Sequence, residues 1–437
     1  MPNSAIFCNT PWYELHIYWD GSLGICCQED HKLYDSSCPQ YNIATMSLLE
    51  WFNSDPVQQF RQQILGKDSV SACRRCYLEE DNGGMSRRIR SNQKSVIFTQ
   101  AFDASVRQSP GYQHFVYSKQ NSGATKTQPI DLHIDLGNYC NLACKMCDAQ
   151  ASSTIASQHV RWGQVEDRKY LGQDWTRNNQ VWTRFKQELI DLPGLNNIHF
   201  MGGETLLTDR FEDLVDTLIQ AQRFDVCFSF VTNGTVFRPG LIEKLSRFRR
   251  VGMEISIETV DDHNAYQRQG TDTKIVLENI QRYQTYANGT SITVSVRPAP
   301  SILSVGYYHT LLKYCLEHKL IVKSNLCYRP EFLDARILPG TVKQLYLDRY
   351  QELDQQLKDI DVTGDYNASD PNNYRHTVKA QVELIRGLLT APTPANNNLL
   401  LEQMIRHCER WDRVYGYNAR ALYPEWQELF DQHGYQV

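Results

Sequence analysis

The sequence predicts an α/β fold of six strand–helix units, preceded by a small Cys-rich domain and followed by a helical region. Three observations lead there. Strand-like and helix-like stretches alternate between residues 130 and 328, nine of thirteen cysteines fall in two groups, and beyond Pro339 the text turns helical. At roughly 150 residues per domain, the 437 residues suggest about three domains.

Composition narrows the class. Hydrophobic residues make up 41% and charged residues 22%, values of an ordinary globular chain that exclude collagen-like, disordered and coiled-coil classes. No stretch approaches the ~20 apolar residues that span a bilayer. The N-terminal MPNSAIFCNTPWYE lacks a basic region followed by an apolar run, so it does not read as a secretory signal, and a cytoplasmic location is expected. Lys+Arg 45 against Asp+Glu 50 gives −5, which argues against a chain built to coat nucleic acid or an anionic membrane. In a reducing compartment thirteen cysteines point to metal, cluster or catalytic use rather than a disulfide framework.

The elements follow in order. Trp19-Asp-Gly21-Ser-Leu-Gly-Ile-Cys26-Cys27 reads as a hairpin-like turn, followed by Tyr41–Ile43 and a helix-like Ser47–Phe52. Residues 1–80 are expected to form a separate unit. Residues 81–128 read as a solvated linker, with Gly83-Gly84 and the basic run Arg87, Arg88, Arg90 as a candidate phosphate contact. The core, 129–335, has strand-like runs at 130–136, 197–201, 226–232, 252–258, 292–298 and 323–328. Helix-like stretches such as Phe211–Gln222, Lys274–Tyr286 and Tyr308–Glu317 lie between them. Such alternation implies parallel strands with right-handed crossovers. Residues 160–196, with Trp162, Trp175 and Trp182, exceed the usual connection of about 4–6 residues and read as an insertion. The region 336–437 is expected to be helical near 342–358, 376–390, 397–414 and 423–432.

Cys140-Asn-Leu-Ala-Cys144-Lys-Met-Cys147 sits between the strand Ile130–Leu136 and a helix-like start at Ala149–His159. Three thiolates so close can hold a four-iron cluster and leave one iron open. An open position marks a catalytic metal rather than a structural one. No fourth Cys or His lies nearby in sequence to close a tetrahedral zinc site.

This C-x3-C-x2-C motif resembles the signature of the radical S-adenosylmethionine (radical SAM) superfamily. Further pieces follow in that family's order. Gly202-Gly203-Glu204 ends a strand and looks like the GGE motif that contacts the SAM methionine amino group, although Thr205 stands where Pro is common. Thr232-Asn233-Gly234 ends the next strand and matches a recurrent TNG. Met253–Glu258 resembles the S-x-D strand, with Ser256 near the SAM ribose and Glu258 in place of Asp. Arg268 falls where the family often has an Arg. The resemblance implies that Gly202, Gly203, Glu204, Thr232, Asn233, Ser256, Glu258 and Arg268 serve the cofactor. It also implies a partial (β/α)6 barrel, in which sites lie at the C-terminal strand ends.

The N-terminal order Cys8-x12-Gly21-x4-Cys26, with Cys73-x2-Cys76 later, resembles the SPASM/twitch auxiliary cluster module. By that match Cys8, Cys26, Cys73 and Cys76 hold one auxiliary [4Fe–4S] cluster, and Cys27 and Cys38 are spare, though either could substitute as a ligand. In the family this module usually follows the core, whereas here it precedes it. The same four thiolates also suit a zinc ribbon.

The resemblance implies SAM, a SAM-binding [4Fe–4S] cluster, an auxiliary [4Fe–4S] cluster and an electron donor such as flavodoxin or ferredoxin. The cluster would reduce SAM to a 5′-deoxyadenosyl radical that abstracts hydrogen from the substrate. Modification of a peptide or protein side chain is the leading expectation. Dehydrogenation or rearrangement of a small metabolite (an aminocyclitol, sugar or nucleotide) is the alternative, and a non-catalytic zinc-binding protein the third. Neither a membrane nor a nucleic acid is an expected partner. Of the isolated Cys227, Cys315, Cys327 and Cys408, buried hydrophobes by default, Cys327 lies at the end of the last expected strand and is a candidate hydrogen-atom donor.

Overall fold

The computed structural model describes residues 6–29, 40–66, 69–81, 86–94, 110–172, 174–192, 194–362 and 373–437. Cys38 and Gly83-Gly84 lie outside them. The chain divides into two compact units, one made of Met1–Tyr139, Gly163–Phe230 and Glu243–Val251, the other of Cys140–Trp162, Val231–Ile242 and Gly252–Val437.

In the first unit the strands are β1 (Glu14–Ile17), β2 (Leu23–Gly24), β3 (Asp131–Asp135), β4 (Asn197–Met201) and β5 (Cys227–Thr232, whose last two residues belong to the second unit). Their order is β2-β1-β3-β4-β5. β1 and β2 form the antiparallel hairpin, and the other pairings are parallel. Ile17, Ile134, Phe200 and Phe230 are register partners across four strands, as are Leu15, Leu132, Ile198 and Phe228. Side chains alternate along a strand, so both rows share one face. The helix Asp209–Gln220 buries Phe211, Leu214, Val215 and Leu218, and Phe211 meets Phe200 at 4.9 Å between ring centroids. Each such buried side chain stabilises by about 2 kcal/mol. Thr208 caps that helix through Arg210 N (3.3 Å), and Asp209 and Glu212 suit the positive end of its dipole.

The N-terminal segment does not stand apart from the core strands as expected, because it supplies β1. The basic run is not a solvated linker either. It lies on the helix Arg87–Lys94, where Arg87 pairs with buried Glu14 and Arg88 with Glu80. Arg88 also donates to the Phe7 carbonyl at 2.9 Å. Both guanidinium groups are therefore committed to carboxylates. A second helix, Pro110–Gln120, places Phe115 against Trp12 at 4.9 Å, and Trp12 Nε1 donates to Ser118 Oγ at 2.8 Å. The inserted segment is ordered around aromatic rings. Trp175, Trp182 and Phe185 pack at 5.1–5.7 Å, and Trp175 Nε1 donates to the Asp135 carbonyl at 2.9 Å.

In the second unit the strands of the main sheet are β6 (Arg250–Ile255, entering from the first unit), β7 (Ile292–Val296) and β8 (Ile321–Val322), ordered β6-β7-β8, and the short strands Ala143–Cys144 and Arg268–Gln269 pair separately and antiparallel, with Cys144 opposite Arg268. The helix Tyr308–Glu317 has the expected bounds. β8 ends before the strand expected at 323–328, and the cause is local. Lys323, Asn325 and Cys327 still donate to the carbonyls of Val296, Pro298 and Pro300, at 2.9, 3.0 and 3.0 Å. Pro298 and Pro300 have no N–H to return, so the ladder is one-sided.

The C-terminal region is helical as expected, with long helices Gly340–Gln356, Asn373–Thr390 and Asn397–Tyr415. The expected 423–432 helix opens as a 3-10 turn, Pro424–Trp426, before Gln427–Gln432. Among the described residues no helix is long and apolar enough to cross a membrane.

Candidate functional site

Cys140, Cys144 and Cys147 lie on one loop of the second unit, and that loop is pinned at every turn. Cys140 N donates to Ser153 Oγ (3.3 Å), and Thr154 Oγ1 donates to the Cys140 carbonyl (2.6 Å). Ser152 Oγ donates to the Leu142 carbonyl (2.8 Å), Lys145 N to the Gln267 carbonyl (2.8 Å), and Cys147 N to the Cys144 carbonyl (3.0 Å). These bonds fix where three thiols can converge on one group. The Cys144 thiol is held below its ordinary range by its hydrogen bond with Cys147 and by the nearby Arg268 guanidinium. A thiolate is the form that ligates iron.

Arg268 is the charged group beside this loop. Its third guanidinium nitrogen lies 3.8 Å from Cys144 Sγ, and its other two donate to Glu258 at 2.6 and 2.7 Å. Glu258 is fully buried and also accepts from Ala299 N at 3.0 Å. Expected as a cofactor contact in place of Asp, Glu258 is thus engaged with Arg268. Asn233 is likewise tied to the loop, because its amide donates to Asn141 Oδ1 at 2.8 Å and Asn141 Nδ2 donates to Thr235 Oγ1 at 3.1 Å. Thr232 and Ser256 are buried, and Ser256 N donates to the Thr232 carbonyl at 2.8 Å.

Sequence reasoning passed over Asn141 and Lys145. Lys145 is 2% exposed, with Nζ donating to the Tyr266 carbonyl at 2.8 Å and lying 5.6 Å from the Trp411 ring. Burial pulls it down to about 7. The helix Asn397–Tyr415 therefore packs on the cysteine loop, which gives the C-terminal region a structural task. A Lys inside a Cys motif was the only signal in sequence.

Gly202, Gly203 and Glu204 lie in the first unit. Gly202 (φ +81°) and Gly203 (φ +53°) hold left-handed backbone that favours glycine. A Cβ on Gly203 would meet the Asn138 and Tyr139 carbonyl carbons at 2.8 Å. Glu204 N donates to the Tyr139 carbonyl (2.7 Å), and Glu204 Oε1 accepts from Leu206 N (3.0 Å).

Elsewhere in that unit, Cys8, Cys26, Cys73 and Cys76 line one small cavity with Thr10, Glu29, Arg87 and Arg88. Cys8 Sγ donates to Thr10 Oγ1 at 3.2 Å. Burial raises all four thiols, Cys8 to about 11. Left alone they stay neutral, and a bound cationic metal centre is what would ionise them. The donor set fits a four-thiolate cluster. Cys27, beside Cys26, does not line the cavity.

Cys327 is half-buried in the second unit, on the one-sided stretch beyond β8. Its Sγ donates to the Arg329 carbonyl at 3.3 Å, and burial pushes the thiol up to about 12.

Comparison with known proteins bears on these arrangements. Residues 134–297 match the family model of the radical SAM superfamily, and residues 8–77 match that of the SPASM iron–sulfur cluster-binding domain. No curated protein matches the chain. Among solved structures, Streptococcus suis SuiB bound to S-adenosylmethionine is 13% identical with a TM-score of 0.39, over 72% of this chain and 66% of that one. AnSMEcpe with bound AdoMet is 16% identical with a TM-score of 0.37, over 52% and 61%. The chain spans just under two thirds of the length of these two proteins.

Proposed function

We propose that the chain, which belongs to the radical SAM superfamily and carries an N-terminal SPASM iron–sulfur domain, modifies a peptide or protein side chain by hydrogen abstraction. Cys140, Cys144 and Cys147 would hold a [4Fe–4S] cluster that with SAM would supply the hydrogen-abstracting radical, and Cys8, Cys26, Cys73 and Cys76 would hold an auxiliary cluster.

The protein's own part is positioning and charge. Arg268 places a fixed cation beside Cys144 and favours the thiolate. Glu258 keeps that guanidinium in place. Asn233 braces the cysteine loop through Asn141, and Lys145 ties it to the Tyr266 backbone. Ser256 is assigned to the SAM ribose, and the Gly202–Glu204 turn to the methionine amino group. Those two roles rest on the family motifs.

The observation that carries this reading is the three-thiol loop with Arg268 held against it by a buried carboxylate. The peptide class rests on the SPASM module. Anaerobic reconstitution tests the reading, with iron, sulfide and zinc measured per chain and 5′-deoxyadenosine measured under dithionite. About eight irons with deoxyadenosine formation is the expected result. About four irons with one zinc would make the N-terminal module structural, and no SAM cleavage would overturn the proposal. Substrate-dependent SAM turnover with a peptide library, and none with a metabolite extract, supports the peptide class. The reverse result would replace it with a small metabolite.

A further inference from the structure

We propose that His16, His133 and Asp135 form a mononuclear site for a divalent transition-metal ion, built on the sheet of the first unit and distinct in its ligands from both cysteine sets. His16 on β1 and His133 on β3 are register partners. Adjacent parallel strands set same-face side chains side by side, and Asp135, two residues beyond His133, returns to that face. His16 Nε2 lies 3.5 Å from one Asp135 oxygen, and His133 Nε2 lies 4.0 Å from the other. One ligand atom from each of the three residues falls within 4.8 Å of the others.

The state of His16 points to a ligand. Its side chain is 4% exposed, Nδ1 has no hydrogen-bond partner, and Nε2 meets only the Asp135 carboxylate, at the long distance of 3.5 Å. Buried imidazole nitrogens are ordinarily satisfied. An ion shared by Nε2 and the Asp135 carboxylate would replace that long contact with two short bonds. Two neutral imidazoles and a carboxylate are the donors that Zn²⁺, Fe²⁺ and Co²⁺ accept. Donors sharing one ion stand about 3 Å apart, so small side-chain rotations close the gaps seen here. Three protein ligands leave room for water or a substrate oxygen.

The surroundings are built to hold such a site. His199 continues the row, 4.7 Å from the His133 ring, with its Nδ1 on Ser229 Oγ at 2.7 Å. Trp175 Nε1 holds the Asp135 backbone carbonyl, and a Cβ on Gly202 would meet Asp135 Cβ at 2.6 Å. The site therefore abuts the Gly202 turn.

The cluster-loaded enzyme, dialysed to equilibrium against micromolar zinc, tests this by metal analysis. The expected result is one zinc per chain beyond the iron, with affinity falling more than about tenfold in His16→Ala and Asp135→Asn while iron per chain is unchanged. Zinc K-edge absorption on the wild-type enzyme gives a second reading that does not depend on the variants folding. A shell of nitrogen and oxygen at about 2.0–2.1 Å supports the site. A sulfur shell at about 2.3 Å, no stoichiometric zinc, or variants that bind as tightly as wild type would overturn it. Zinc uptake does not depend on SAM cleavage, so this proposal and the hydrogen-abstraction reading fail separately.

Discussion

Glu258 grips Arg268 with both carboxylate oxygens, at 2.6 and 2.7 Å, and the guanidinium turns its remaining nitrogen toward Cys144 Sγ. The pair is buried, so its charges are not screened by water. Removing one member leaves the other uncompensated, which costs more than the pair contributes.

Glu258→Gln is expected to lower stability by about 3 kcal/mol and to loosen the cysteine loop. Chemical denaturation reads the first effect and iron per chain the second. Glu258→Asp keeps the charge but shortens the reach, and is expected to fall between wild type and Gln.

The two cysteine sets are expected to separate cleanly. Replacing Cys140, Cys144 and Cys147 by Ala removes about four irons and abolishes deoxyadenosine formation. Replacing Cys73 and Cys76 removes the other four and leaves SAM cleavage measurable. Iron analysis with a product assay under dithionite checks both.

Gly203→Ala forces a Cβ into the Asn138–Tyr139 backbone at a φ of +53°. Strain of about 1–3 kcal/mol is expected. SAM binding should weaken by about tenfold, since 1.4 kcal/mol is a factor of ten. Isothermal titration of the reconstituted protein reads this directly.

His407 gives the fold an acid-sensitive element. Its Nε2 is sealed without a hydrogen-bond partner, and burial, with Lys145, Arg410 and His159 nearby, lowers it from 6.5 to about 3. The unfolded chain then binds the extra proton first as pH falls. Stability contributed by the neutral ring is complete above about 6.5 and is lost between there and about 3. His407→Gln should flatten that part of the pH–stability curve, measured by urea unfolding.

Cys327 is expected to stay a protonated thiol at neutral pH. If it donates the hydrogen atom that quenches a substrate radical, Cys327→Ala will stall the product while deoxyadenosine still forms. Unchanged rate and product would remove it from the mechanism.

Much of this was legible from local rules. The GGE and TNG turns announce themselves because glycine tolerates left-handed backbone, as at Gly202, Gly203 and Gly234. Tyr308–Glu317 reads as a helix from its apolar spacing alone. Readings went astray where the deciding partner is remote. Arg87 and Arg88 look solvated until Glu14 and Glu80 come beside them. The 323–328 run is strand-like in composition, and only its neighbours Pro298 and Pro300 deny it a ladder. The His16–His133–His199 row is invisible in the linear text, because strand register alone aligns three distant histidines.

The pairing of β1 with β3 ties the two family domains together in one respect. A truncation starting after Cys76 would remove more than an auxiliary cluster. It would strip Glu14–Ile17 from Asp131–Ile134 and turn β3 into an uncovered edge whose amides and carbonyls invite strands from other molecules. A shortened enzyme made to isolate the SAM chemistry would meet aggregation before it met its substrate.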